Sequence, residues 1–330
     1  MVKGYEGLEL STQVMIKEAL KRKVKVEVLD WEDNFIRLSD KGRVEYIKQA
    51  TRTSVDSYIA PLIMENKEVT KIILREQGLR VPYGIIIKSV EEGIQKIEEF
   101  WGQDLVIKPK STNFGQGVAI LKWEYSMEEA KEAIKSAFLY DEVVLIEEFI
   151  SGKEYRFFTV GEEVVAILHR VPANVIGDGK HTIRELVQMK NRNPLRGKGY
   201  VTPLEKIKLE RTEQEYLAHQ GRTFDTIPMM GETVYLRENS NISTGGDSID
   251  YTEEIPEEYK KIAVSAAKAV GAKICGADII IRDIREKPQV DNYSIIELNF
   301  NPAIHIHDYP YVGKNRKVEK KILDLLGFEE

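Results

Sequence analysis

Two segments near the end of the chain place carboxylates where burial makes charge costly. In Ile295-Ile296-Glu297-Leu298-Asn299-Phe300, strand alternation projects Glu297 and Asn299 to one side and sends Ile296, Leu298 and Phe300 to a core. Asp278 stands in an apolar strand, ICGADIII, where an unpaired charge is unfavourable. Two carboxylates and an amide oxygen on neighbouring strands form an all-oxygen set suited to Mg²⁺, which takes few protein ligands beside phosphate oxygens and water. Pairing of Asp278 and Glu297 with nearby Lys or Arg as structural ion pairs is the competing reading, and the residues alone allow both.

Phosphate chemistry has its own candidates. Lys108-Pro109-Lys110-Ser111-Thr112-Asn113-Phe114-Gly115-Gln116-Gly117 lies between two predicted strands. Its glycines and small polar residues let backbone N–H groups approach an anion, with Lys108 at the strand end. Neither GxxxxGK(S/T) nor GxGxxG before a helix is present, so a plain hairpin with a solvated lysine also fits. Asn239 to Ser248 is a second turn rich in small residues, and Gly177-Asp178-Gly179-Lys180-His181-Thr182 reads as an N-cap turn. His305 and His307 alternate along a predicted extended segment, a pattern of surface or substrate contact rather than zinc. Cys275, the single cysteine, reads as core packing. No Ser/His/Asp or Cys/His arrangement supplies a nucleophile.

The elements that must position these residues alternate between helical and strand periods, which indicates a mixed α/β protein. A helix is predicted over 12–23 and strands over 24–29, 35–38 and 44–47. Helices follow over 56–65 and 69–77, stopped by Gly78 and Pro82. Ser89 with Glu92 and Ser126 with Glu129 read as capping boxes, the first opening a stripe of Val90, Ile94, Ile97 and Trp101. Strands over 105–108, 118–121 and 143–146 complete a module near residue 150. Beyond it come strands over 155–160 and 164–170, a helix over 182–190, a polar stretch to about 231, a helix over 256–270, strands over 274–281 and 293–300, and a terminal helix.

The 330 residues are 42% apolar and 31% charged with a net charge of −6, an ordinary globular composition with no bulk basic charge for nucleic acid. No apolar run is long enough to span a membrane. The start, MVKGYEGLELSTQ, lacks the apolar core of a signal peptide, which makes the cytoplasm the expected compartment.

Together, Asn66-Lys67, LVIKPKSTNFGQG, LIEEFISGKEYRFF, GADIII and IIELNFNP, in this order, resemble the ATP-grasp superfamily of carboxylate–amine ligases. ELSTQ, YIKQATRTS, RVPANVIGDGKHTIREL and LRENSNISTGGDSID narrow the resemblance to the glutathione synthetase module of the bacterial bifunctional glutamate–cysteine ligase/glutathione synthetase. Parts are also similar to cyanophycin synthetase and D-alanine–D-alanine ligase.

The resemblance implies an ATP-grasp fold of two α+β subdomains, over 66–150 and 151–330, closing on ATP behind a short N-terminal α/β piece over 1–65. It implies Lys67 and Lys108 on the ATP phosphates, and the backbone of Ser111, Gly115, Gln116 and Gly117 as their cover. It also places Glu147, Glu148 and Ile150 at the adenine edge and Glu154 on the ribose. Asp278, Glu297 and Asn299 become ligands of Mg²⁺ (or Mn²⁺). Arg156, Lys180 and Arg237 are expected to act on the transferring phosphate, and Arg170, Ser243, Thr244, Gly245, Gly246 and Asn301 to bind substrate. Two departures stand out. The D-alanine ligases carry an arginine two places before the first metal aspartate, where this chain has Gly276, so Arg237 is expected to supply the cation. The piece before residue 65 is also shorter than in typical relatives.

The implied reaction joins γ-glutamylcysteine and glycine through an acyl phosphate, with ADP as product. The alternatives are another ATP-grasp peptide ligase with a γ-glutamyl, dipeptide or cyanophycin-like substrate, or a silent ATP-binding module. The expected partners are these small substrates, a separate glutamate–cysteine ligase and a second copy of the chain in a homodimer.

Overall fold

The structure, a computed structural model, describes residues 2–110, 117–199 and 201–329. Helix α1 (Leu10–Lys21) and an antiparallel meander of β1 (Lys25–Asp30), β2 (Phe35–Asp40) and β3 (Arg43–Lys48) open the chain. Their apolar residues do not close on themselves. Met15, Ile16, Ile36, Leu38 and Ile47 share one core with Phe158, Ala166, Ile274, Ile304 and Ile322 from the far half of the chain. Asp56 reinforces the contact, its Oδ1 accepting the Lys273 amide at 2.5 Å.

Helices α2 (Ile59–Glu65) and α3 (Lys67–Glu76) meet at Asn66, whose side chain caps α3 by accepting the Val69 N–H at 3.3 Å. A small sheet follows, built from β4 (Gly84–Ile87), β5 (Leu105–Pro109), β6 (Ala119–Leu121) and β7 (Val144–Glu148), with α4 (Val90–Lys96) and α5 (Met127–Phe138) in its connections. The spatial order is β4-β7-β5-β6, antiparallel throughout. Leu105, Ile107, Val144 and Ile146 pack on Ala130 and Ile134 of α5, so alternation sends Val106, Lys108 and Glu147 to the opposite face. The Ser126–Glu129 capping box is complete, but Glu92 accepts the Lys88 amide instead of the Ser89 amide. Trp101 is exposed rather than part of the apolar stripe. After α4 the chain tightens into a 3₁₀ turn, which puts Phe100 in the core in its place.

The second half is built on β8 (Lys153–Val160) and β9 (Glu163–Val171). Between β9 and the rest of its sheet lies a lobe of β10 (Asn174–Ile176), α6 (Ile183–Lys190), β11 (Arg196–Gly197), β12 (Leu204–Glu205), α7 (Arg211–His219) and β13 (Thr233–Tyr235). Val175, Ile183, Val187, Leu217, Phe224 and Val234 give it a core of its own. The polar stretch expected up to residue 231 is therefore folded. Its strands are two or three residues long, and the N-cap of α7 is Glu210 rather than Ser, Thr, Asp or Asn, with Glu213 closing the capping box.

The chain then adds β14 (Asp247–Asp250), α8 (Glu257–Ala269), β15 (Ile274–Ile281) and β16 (Tyr293–Asn299), completing an antiparallel sheet of order β14-β9-β8-β15-β16. Helices α9 (His305–Asp308) and α10 (Val318–Leu325) finish the fold. No helix among the described residues is long and apolar enough to cross a membrane.

Asp247 joins the lobe to this sheet. It accepts Arg196, Lys190 at 2.6 Å and Asn174 at 3.0 Å, all well buried. Asp247→Ala strands two buried cations, and urea denaturation should show a loss of about 3–5 kcal/mol. A loss under about 1 kcal/mol would mean the ion pairs do not hold the lobe.

Candidate active site

One face of the large sheet is apolar: Tyr155, Phe157, Ala277 and Ile279 pack on Tyr259, Ala263 and Ala266 of α8. The opposite face is divided. Phe158 and Ala166 lie under the N-terminal core, while the other end carries charge. Asp278 is register partner to Arg156 on one side and Glu297 on the other, so the three share a row across β8, β15 and β16.

Asp278 is almost wholly buried. Arg156 grips it with Nε and with Nη2 at 2.7 Å, Arg170 Nη2 reaches it at 3.0 Å, and Asn299 Nδ2 at 3.4 Å. Burial raises the pKa of the carboxyl, but Arg156 and Arg170 outweigh that and hold it below the ordinary aspartate value. Arg170 also meets Glu154, which accepts a further bond from Ser240. Gly276 makes room for this arrangement. A Cβ there would lie 2.9 Å from Pro302 Cβ and 3.1 Å from Arg156 Cδ. The position that carries arginine in the D-alanine ligases is thus overlaid here by an arginine from the neighbouring strand.

β16 contains a bulge. Asp278 pairs with Glu297 but Ile279 pairs with Ile295, leaving Ile296 unmatched. Ile296 is therefore only half-buried, and Ile295 takes the core place expected for it. Glu297 and Asn299 still project together into a cleft of about 780 Å³, and Lys67 Nζ stands 3.8 Å from Glu297. Among the described residues no three His, Cys, Asp or Glu side chains cluster as a metal cage. Glu297, the Asn299 carbonyl oxygen and Asp278 fit the few-ligand, all-oxygen pattern of Mg²⁺, while Asp278 is also the ion-pair centre of the two arginines.

The small sheet contributes a second charged group. Glu147, buried on the face away from α5, accepts Lys71 and Lys108, the latter at 2.7 Å. Burial pushes the Glu147 carboxyl up, and the two lysines more than reverse the shift. Lys71 itself is lowered to about 8, by burial first and by Lys108 second. Glu148 turns to Arg80 at 2.6 Å and to the Tyr83 amide at 2.6 Å, and half-buried Ile150 lies in the connection from β7 to β8.

The cleft brings together Lys67, Lys110, Arg156, Arg170, Ser243, Glu297, Asn299 and Asn301. Asn301 spends its amide on Thr51 at 2.8 Å and Gln49 at 3.0 Å. Several other expected residues that the structure describes lie elsewhere or at its edge, where His305 reaches it. Arg237, expected to supply the cation in place of the missing arginine, donates to Glu213 in the lobe at 2.5 Å. Lys180 is exposed in the turn before α6. Thr244 bonds within its own turn. Gly245 and Gly246 are required by close approach, to Ile207 Cα at 2.7 Å and Val171 O at 2.8 Å from a built Cβ. Ser111, Gly115 and Gln116 lie outside the described residues, and Gly117 has φ +70°. His305 and His307 are in a buried helical turn rather than extended, with His305 bonded to Ser11 at 2.7 Å. Cys275 is core, its thiol pushed up to about 12 by burial.

Two cations of this region are not among those expected from the sequence. Lys71 follows Lys67 by one helical turn, a spacing that could have revealed it. Arg52 reaches the cleft from the N-terminal piece, through a contact that no local pattern encodes.

Two sheets flanking a cleft of lysines, arginines and carboxylates define an ATP-grasp domain, and comparison with known proteins agrees. The RimK-like ATP-grasp domain model matches residues 64–179 and 234–326, well over half of the chain, and an ATP-grasp-like domain model matches 6–59. The chain belongs to the RimK-like ATP-grasp family. It is 58% identical over 323 residues to the glutathione biosynthesis bifunctional protein GshAB of Clostridium perfringens and 54% identical over 325 residues to that of Desulfotalea psychrophila. Each alignment covers 98% of this chain and 42% of the relative, so the chain spans under half the length of these proteins. The crystal structure of a bifunctional glutathione synthetase from Pasteurella multocida superposes with a TM-score of 0.78 at 44% identity, over 98% of this chain and 45% of that one.

Lys71 carries a titration prediction. Its folded pKa lies below the ordinary 10.5, so the amine costs stability below pH about 8, and the cost is relieved as pH rises toward 10.5. NMR titration of labelled lysine side chains should place its midpoint near 8, and Glu147→Gln should lower it further by removing the carboxylate that favours the charged form. A midpoint that stays at the ordinary lysine value would show the amine is not desolvated.

Proposed function

We propose that the chain is an ATP-dependent, ADP-forming carboxylate–amine ligase that joins γ-glutamylcysteine to glycine. ATP-grasp ligases use ATP with a divalent metal. The observation that carries the reading is the charged row of Arg156, Asp278 and Glu297, with Arg170 behind it and Lys67 across the cleft. The likeness over 98% of this chain to proteins of glutathione biosynthesis supports glutathione as the product and hence this substrate pair.

In this reading residues 66–150 and 151–330 close on the nucleotide, and residues 1–65 complete the acid and amine side. The hinge backbone from Glu147 to Ile150 takes the adenine edge, Glu154 the ribose, and Lys67 and Lys108 the phosphates. Lys71 keeps Glu147 neutralised when Lys108 turns to phosphate. Asp278, Glu297 and Asn299 would hold Mg²⁺, which would supply neutralisation of phosphate charge.

The acid's carboxylate oxygen attacks the γ-phosphorus, the bond to the bridging oxygen breaks, and ADP leaves. The amine then attacks the acyl carbonyl, and phosphate leaves as the amide forms. Arg156 and Arg170, fixed by Asp278 and shielded from bulk water, face the oxygens on which negative charge develops. Closure of the cleft keeps water from the acyl phosphate. A glutamate–cysteine ligase supplies the dipeptide.

Purified protein with Mg-ATP should release phosphate only when γ-glutamylcysteine and glycine are both present. Gly276→Ala, which pushes Arg156 off its seat, should lower kcat by about 10- to 100-fold and leave the KM for ATP little changed. Phosphate release indifferent to this pair but stimulated by another acid and amine would overturn the substrate assignment.

A further inference from the structure

Among the described residues, Arg52 is a half-buried cation with no carboxylate partner. Arg156, Arg170 and Lys67 each stand beside a carboxylate of the site, at Asp278, Glu154 and Glu297. Arg52 has no such neighbour, and its Nε is fully buried without any hydrogen bond. Its guanidinium lies over the Phe300 ring, 4.9 Å from the centroid, which fixes its plane and leaves the N–H edge unused. The side chain lines the same cleft as Glu297 and Asn299.

The backbone beneath it is held at a cost. Gln49 and Ala50 both adopt left-handed φ, +52° and +68°, without being glycine. The turn is fixed from several sides. Lys48 and Arg52 exchange backbone bonds at 2.9 and 3.1 Å, the Gln49 amide donates to Asn34 O at 3.1 Å, and Asn301 clamps Thr51 and Gln49. A strained turn, clamped to the end of β16 and presenting an unsatisfied planar fork, is preorganised for a planar anion.

We infer that Arg52 binds a substrate α-carboxylate that is not activated in the reaction. This rests on the ligase reading above and deepens it. Phosphate is assigned to Lys67 and Lys108 and the reacting carboxylate to Arg156 and Arg170, which leaves for Arg52 the spectator carboxylate of the glutamyl residue or of glycine.

The test compares wild type, Arg52→Gln and Arg52→Lys on both substrates and on their carboxamides, glycinamide and γ-glutamylcysteine with an amidated glutamyl α-carboxyl. Wild type should prefer one acid to its amide by roughly 10- to 100-fold in kcat/KM. Arg52→Gln should lose that factor for the acid and no longer distinguish acid from amide. Arg52→Lys should recover only part, and the KM for ATP should stay within about twofold in both. The substrate that shows the effect identifies the carboxylate. Retained discrimination in Arg52→Gln, or an equal rise in KM for ATP and both substrates, overturns the inference. If wild type does not turn over this pair, the substrate assignment falls instead, and the same comparison is made on the acid and amine it does join. Turnover of no pair sinks both.

Discussion

The structure depends on one buried carboxylate. Asp278, in the central part of a five-stranded sheet, cannot be ionised there without Arg156 and Arg170, and those two arginines cannot be buried without Asp278. Such a triad is weak support for stability, because desolvating three charges costs about as much as their attraction returns. Its value lies in position. It fixes two guanidinium groups at the floor of a cleft with their planes set before any ligand arrives, which is what stabilising developing charge requires. A net charge of −6 conceals this local concentration of cations.

The rest of the fold holds that floor in place. The sheet face carrying Arg156 and Asp278 becomes apolar a few residues further on, at Phe158 and Ala166, and the N-terminal piece and α10 cover those residues. The same piece sends Arg52 and Thr51 to the cleft rim, so its packing and its contact with the site cannot be separated. Glu147 does for the small sheet what Asp278 does for the large one. It is a buried carboxylate between two cations, Lys71 and Lys108.

Strands with strong periodicity were legible from sequence, and so were the residues their alternation groups together. Asp278, Glu297 and Asn299 could be read as a set because each belongs to a run of apolar neighbours. The bulge at Ile296 could not, since one inserted residue changes which isoleucine is buried without changing composition. Apart from α6, which was legible, the lobe of residues 172–246 escaped because its strands are too short for a period and its α7 cap is a glutamate. Arg237 was expected to act on phosphate, and its pairing with buried Glu213 was not legible in the sequence. Arg156, register partner of Asp278 on β8, leans over Gly276, a contact between strands far apart in the chain and written in no local pattern. His305 and His307 alternate in sequence, but a single helical turn buries both.

The central claim is that this floor brings a substrate carboxylate to the γ-phosphoryl group. The most direct test labels the carboxylate oxygens of the acid substrate with ¹⁸O and follows the label into the phosphate released during turnover in ordinary water. Attack by the carboxylate, followed by displacement of phosphate by the amine, carries one labelled oxygen into each phosphate. Phosphate free of label would mean that water, not the carboxylate, attacks ATP, and would contradict the role assigned to the cleft floor.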